Sequence, residues 1–196
     1  MLLRVALPIE ASLPFTEDEM VILQKYQPPF RIESLLESKA SPETVKSSME
    51  TCGWVHFACH AVQDTNNPEN SALLLANKSR LTLAEITRLE LPRAQFAFLS
   101  ACQTAAGDDL LPEEAVHLAA SMLSAGYQGV VGTMWSIPDE ESPRVADRFY
   151  RNICANQATP DPTKAAEALH TAIAEFCDSK EKKSFFSWVP FIHYGA

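Results

Sequence analysis

GWVHFACHAVQDTNNPEN, residues 53–70, is the stretch on which the reading of the fold turns. Its first part is an apolar run without clean alternation that carries His56, Cys59 and His60, and it stops at Gln-Asp-Thr-Asn-Asn-Pro, which is turn chemistry. A short apolar run closed in this way reads as a strand covered on both faces. Working outward, LLRVALPI, AQFAFLSAC and GVVGTMW read as strands of the same sheet, FRIESLL as a short extended run and SWVPFIHY as a last short strand. SALLLANKSRLTL reads as a hairpin around NKSR.

Helices fill the intervals. FTEDEMVILQKY has Thr16 at the N-cap position and Glu19 three residues on, the capping-box spacing. SPETVKSSMETC opens with Ser41 as cap and Pro42 at the first helical position, and Gly53 ends it. LTLAEITRLEL is a short helix ended by Pro92, PEEAVHLAASMLSAG runs from Pro112 to Gly126, and two amphipathic helices follow in DEESPRVADRFYRNICA and DPTKAAEALHTAIAEFC. Strand and helix alternate almost throughout, which predicts an α/β fold with a mostly parallel sheet and helices on both faces.

The 196 residues suit one domain, spanning 1–196. Sixteen basic against 25 acidic residues leave a net charge of −9, which argues against a nucleic-acid partner. No apolar run approaches the roughly 20 residues that span a bilayer, and the opening decapeptide lacks the pattern of a signal peptide. No membrane is expected, and the protein is read as intracellular and cytoplasmic. Cys52, Cys59, Cys102, Cys154 and Cys177 include no C-x-x-C pair, which fits neither a disulfide framework nor a zinc ribbon. A nucleotide-binding reading finds no G-x-G-x-x-G and no G-x-x-x-x-G-K-[ST].

In an open α/β sheet the working residues gather at the carboxyl ends of strands. His60 and Cys102 end two of the apolar strands and lie 42 positions apart, enough for the crossover that would set those strands side by side in parallel. Adjacent strand ends would bring an imidazole to a thiol, the pairing a cysteine nucleophile requires. The amides of Cys102 and Ala61 would then be oxyanion donors. The rival reading is that strand cysteines are core. Cys59 and Cys52 are assigned to packing, as are Cys154 and Cys177 on helical apolar faces. His56 is read as a satisfied core histidine. On one strand it would lie on the same face as His60 but about 13 Å away, too far to share a metal, and no metal or other cofactor is expected. Asp64, Trp135 and Asp139 are candidates for the substrate pocket, with Asp108 and Asp109 as further acids.

At VHFACHA, SALLL, LTLAEITRLELPRAQFAFLSACQTAAGDDLLPEEAVHLAASMLSAGYQGVVGTMWSIPDEESPRVADRFY and SWVPFIHYG the sequence resembles the CHAT domain, a caspase-like family of the caspase, separase and gingipain clan. The resemblance runs from about Gly53 to the end, is most specific at HFACH and LSACQTA, and is closest to fungal members. It implies a caspase–hemoglobinase fold, a three-layer α/β/α sandwich. It also implies cysteine endopeptidase activity through a thioester acyl-enzyme, with His60 and Cys102 as the catalytic pair and a protein or peptide as substrate. A tetratricopeptide-repeat or sensor module, in the same or another chain, is an implied partner, and regulated cell death or defence an implied setting. Where the family commonly has glycine after the histidine this chain has Ala61, and where members carry more sequence ahead of the first helix it is expected to be shortened. An inactive CHAT-fold scaffold, tolerant of Ala61, is the alternative function.

Overall fold

The computed structural model describes residues 1–7, 16–62, 64, 66–100, 102–103, 113–134, 137, 140–155, 159–178, 185 and 188–195, with the backbone alone at 4–7, 16, 37, 102–103 and 113–117. In chain order its elements are β1 (Leu2–Leu7), α1 (Thr16–Gln24), β2 (Arg31–Leu36), α2 (Pro42–Thr51), β3 (Trp54–Phe57), β4 (His60–Val62), β5 (Ala72–Leu74), β6 (Arg80–Thr82), α3 (Leu83–Thr87) and β7 (Phe96–Leu99). They continue with β8 (Cys102–Gln103), α4 (Glu113–Ser124), β9 (Gly129–Thr133), α5 (Ser142–Cys154), α6 (Ala165–Cys177) and β10 (Phe191–Gly195).

Six strands form the main sheet in the order β10-β9-β7-β3-β1-β2. All its pairings are parallel except that of β10 with β9. The apolar strands lack clean alternation because each face has its own core. Val55, Phe57, Ala97, Leu99 and Val130 pack with Val45 and Met49 of α2, Ile86 of α3 and Ala119 and Met122 of α4. Trp54, Phe96, Phe98 and Val131 pack with Leu23 of α1, Phe149 and Tyr150 of α5 and Leu169, Ala172 and Phe176 of α6. The result is the expected three-layer sandwich, α2, α3 and α4 on one side and α1, α5 and α6 on the other. Among the described residues no helix is long and apolar enough to cross a membrane.

Several local expectations hold. Ser41 caps α2, accepting from the Thr44 N–H at 3.3 Å, and Pro42 is its first residue. β5 and β6 pair antiparallel around the 76–79 turn, where Asn77 and Lys78 have φ of 56° and 57°. Gly126, just past α4, has φ +112°, which disfavours any side chain there.

Other expectations are corrected. The 54–60 run is not one strand: β3 stops at Phe57, and His60 opens β4, which belongs to a second sheet of order β6-β5-β4-β8. β7 breaks at the same level, so the chain that would have ended one long strand at Cys102 instead forms β8. The two breaks are tied together, the Ser100 N–H donating to the Phe57 carbonyl at 2.7 Å. His56 and His60 therefore occupy different sheets rather than one strand face. Cys177 is exposed rather than packed, while Cys154 is half-buried against the core.

The short helix also ends early, at Thr87 and not at Pro92. It forms because of a capping box: Thr82 Oγ1 accepts from the Glu85 N–H at 3.2 Å, and Glu85 Oε2 accepts from the Thr82 N–H at 3.0 Å. The Glu85 carboxylate also receives Lys46 Nζ of α2 at 2.9 Å, which fixes α3 against its neighbour. Thr82→Ala is expected to lower global stability by about 1 kcal/mol, read as a lower denaturant midpoint. A change within error would show that α3 does not depend on its cap.

Candidate active site

β4 and β8 run parallel, with His60 opposite Cys102 and Ala61 opposite Gln103. Sequence reasoning expected the two residues at the ends of neighbouring strands of the main sheet. They are neighbours, but one step beyond it, where both strands have crossed into the smaller sheet. Among the described residues β8 is the last strand of that sheet, so the backbone carrying Cys102 lies at its edge there.

Ala61 sits inside β4, opposite Leu73 on one side and Gln103 on the other. Among the described residues only Asn77 and Lys78 combine a side chain with positive φ. The methyl at Ala61 therefore causes no backbone strain of the kind that would demand glycine.

The remaining sites divide. Asp64 organises its own loop: its carboxylate accepts from the N–H groups of Asn66 at 3.1 Å and Asn67 at 2.9 Å and from the Asn70 side-chain amide at 3.2 Å. These donors, Asn67 first, hold its carboxyl below the usual carboxylate range. A lowered folded pKa means that the loop's hydrogen bonds are fully present above the ordinary value of about 3.9 and are lost as pH falls through the lower one. Amide protection at Asn66 and Asn67, taken relative to the intrinsic exchange rate at each pH, is expected to persist through the ordinary carboxylate range and to be lost as pH falls through the lowered pKa. Loss of protection well above that range would show that the carboxylate does not order the loop. Trp135, Asp139, Asp108 and Asp109 lie outside the described residues.

The cysteines away from β8 are poorly suited to nucleophilic work. Cys52 and Cys59 are buried in the core. Burial pushes the Cys154 thiol up to about 11, and burial followed by the charge of Asp178 also raises Cys177. Fewer thiolates at neutral pH means slower attack on a carbonyl.

His56 lies in the core as the sequence suggested, but only its Nδ1 finds a hydrogen-bond partner there. It is fully buried, stacks on Phe98 with ring centroids 4.9 Å apart and shares a 3.1 Å hydrogen bond between Nδ1 and the Tyr150 hydroxyl. Its Nε2 lies 3.1 Å from Glu19 Oε1. Glu19 is what the sequence reading missed. The capping-box spacing assigned it to the start of α1, yet it is only 2% exposed and accepts from Ser100 Oγ at 2.7 Å. The available signal was its place four residues before Leu23, on the face of α1 that is buried.

Comparison with known proteins adds the wider context. Among solved structures the chain resembles the Arg-specific cysteine proteinase gingipain R with a TM-score of 0.64 at 13% identity, covering 99% of this chain and 45% of that one. The complex of the Porphyromonas gingivalis RgpB pro- and mature domains gives 0.61 at 11% identity, covering 100% and 47%. A Saccharomyces cerevisiae separase–securin complex gives 0.57 at 14%, covering 98% and 11%. The chain thus spans less than half the length of these structures, and the likeness is one of fold. No curated protein matches the sequence. The CHAT domain model matches residues 5–196, which takes in α1 and Glu19 as well as β4 and β8, and the chain accordingly belongs to the CHAT domain family.

Proposed function

We propose that the protein is a cysteine endopeptidase in which Cys102 is the nucleophile and His60 its acid–base partner. The observation that carries this reading is the parallel β4–β8 pair, which sets the two residues opposite one another in a protein of this family. Cys102 transfers its thiol proton to His60 and attacks the scissile carbonyl. His60 returns the proton to the leaving amine, and water then hydrolyses the thioester. The amides of Cys102 and Ala61 serve the oxyanion. Both residues lie in the two-residue β4–β8 ladder, which sets their backbones side by side. The edge position of β8 among the described residues offers an extended peptide a strand to pair with. Trp135 and Asp139 follow β9 and contribute to the pocket, and an acidic pocket selects a basic residue before the cleaved bond.

Acyloxymethyl ketone peptides ending in Asp or Arg test this directly, with mass spectrometry to locate the adduct. The expected result is selective modification of Cys102 by the Arg reagent that disappears in His60→Ala. Slow modification spread over Cys52, Cys59, Cys154 and Cys177, unchanged in that variant, would return the chain to the role of an inactive scaffold.

A further inference from the structure

Glu19, Ser100, Ser142, His56 and Tyr150 form a polar cluster inside the core beside α1, α5 and α6. All are buried, and they come from four segments: α1, the residue just after β7, β3, and α5, which supplies both Ser142 and Tyr150. Glu19 Oε1 accepts from Ser100 Oγ at 2.7 Å and lies 3.4 Å from Ser142 Oγ and 3.1 Å from His56 Nε2. The Ser100 and Ser142 hydroxyls also hydrogen bond to each other. His56 shares a hydrogen bond at Nδ1 with the Tyr150 hydroxyl, whereas its Nε2, though close to the carboxylate, lacks hydrogen-bond geometry toward it. Burial, reinforced by the charge of Glu19, raises the Tyr150 phenol well above its ordinary pKa and keeps it a donor.

Burying a carboxylate is costly unless donors surround it, and apolar side chains would fill the same volume without that cost. The location of this one suggests what it does. Ser100 is the last described residue before β8, two positions from Cys102, and its backbone N–H is bonded to Phe57, three positions from His60. Its hydroxyl is bonded to Glu19. Ser142 opens α5 immediately after the 134–141 segment that contains Trp135 and Asp139.

We infer that the Glu19-centred cluster is a positioning device: through Ser100 it fixes the corner where β3 and β7 pass into β4 and β8, and so sets the spacing of His60 and Cys102. Glu19, Ser100 and Ser142 are positioning residues that do not touch substrate. The inference deepens the peptidase reading and rests on it for its catalytic consequence. Its structural part, that Glu19 orders β4 and β8, stands independently.

The experiment uses the full chain and two readouts. The first is the kinetics of Cys102 modification by the Arg acyloxymethyl ketone. The second is amide hydrogen exchange over 57–62 and 98–103. The variants are Ser100→Ala, Glu19→Leu and Glu19→Gln, with Met122→Ala on the opposite face of the sheet as a destabilised control. Ser100→Ala and Glu19→Leu are expected to lower the maximal inactivation rate by about 10²-fold with the half-saturating reagent concentration unchanged, because a misplacement of about 1 Å is enough for that loss. Both are expected to quicken exchange in the two segments. Glu19→Gln retains an oxygen for the Ser100 hydroxyl and is expected to keep most of the rate. Met122→Ala is expected to lower the melting temperature and leave both readouts alone.

If the three cluster variants behave like Met122→Ala, the inference is overturned. Should Glu19→Leu not fold, Ser100→Ala against Glu19→Gln decides the question. A wild-type protein whose Cys102 shows no His60-dependent reactivity would sink the peptidase reading instead. Exchange over 57–62 and 98–103 would then show by itself whether the cluster holds the corner.

Discussion

Cys102→Ala is expected to abolish hydrolysis of any peptide the protein cleaves, and His60→Ala to reduce it by about 10²–10⁴-fold, the usual contribution of a positioned acid–base group. The two losses differ in kind. Without Cys102 no acyl-enzyme forms, whereas without His60 a residual thiolate fraction still attacks, and more strongly as pH rises toward the ordinary thiol pKa of about 8.5. Turnover of an Arg-containing peptide library, followed by mass spectrometry between neutral and alkaline pH, distinguishes them. The double variant should be no worse than Cys102→Ala alone, because residues that act as a unit are not additive. Residual cleavage in Cys102→Ala equal to wild type would assign the activity elsewhere and end the present reading. The raised pKa of Cys154 and Cys177 makes neither a ready substitute.

The largest expected effect on stability is at Trp54. Its side chain is fully buried at the start of β3, with its ring centroid 4.7 Å from that of Phe96 and 5.1 Å from that of Phe30, and its Nε1 donates to Gln95 Oε1 at 2.9 Å. Trp54→Ala removes the ring from a site walled by Phe30, β1 and β7, which cannot collapse into the space without moving the sheet. A loss of about 3–5 kcal/mol is expected, seen as a lower midpoint in urea with an unchanged slope. Trp54→Phe keeps much of the ring packing but leaves Gln95 without its donor, so it should fall between the two. A loss below 1 kcal/mol for Trp54→Ala would mean that this core is not packed around the indole. Because β3 leads directly toward β4, Trp54→Ala should also reduce the amount of reactive protein, though not the rate constant of what remains folded.

The sequence made the layered α/β fold legible for a simple reason. Strands such as 54–57 and 96–99 are covered on both faces, and such strands leave an uninterrupted apolar run bounded by turn residues. Helix punctuation was equally local: Ser41 and Pro42 open α2, and Gly126 closes α4, each through hydrogen bonds or backbone angles within a few residues. The neighbourhood of His60 and Cys102 could also be anticipated, since a parallel crossover of that length sets consecutive strands side by side. What the sequence could not reveal is that both strands break one step earlier and re-form as β4 and β8. An apolar run looks the same whether it continues straight or bends, and at the break the two strands are joined by the hydrogen bond between Ser100 and Phe57, residues far apart in the chain.

Glu19 shows the same boundary most clearly. Read locally, an acid three residues after Thr16 completes a capping box, and no neighbouring residue contradicts that reading. Only tertiary packing brings Ser100, Ser142 and His56 around its carboxylate, and the two serine hydroxyls that donate to it decide whether an acidic side chain stays in water or enters the core. Local chemistry, read over a few residues, determined the elements and their order. Where those elements bend, and which polar groups they bury together, was decided by partners that only the folded chain assembles.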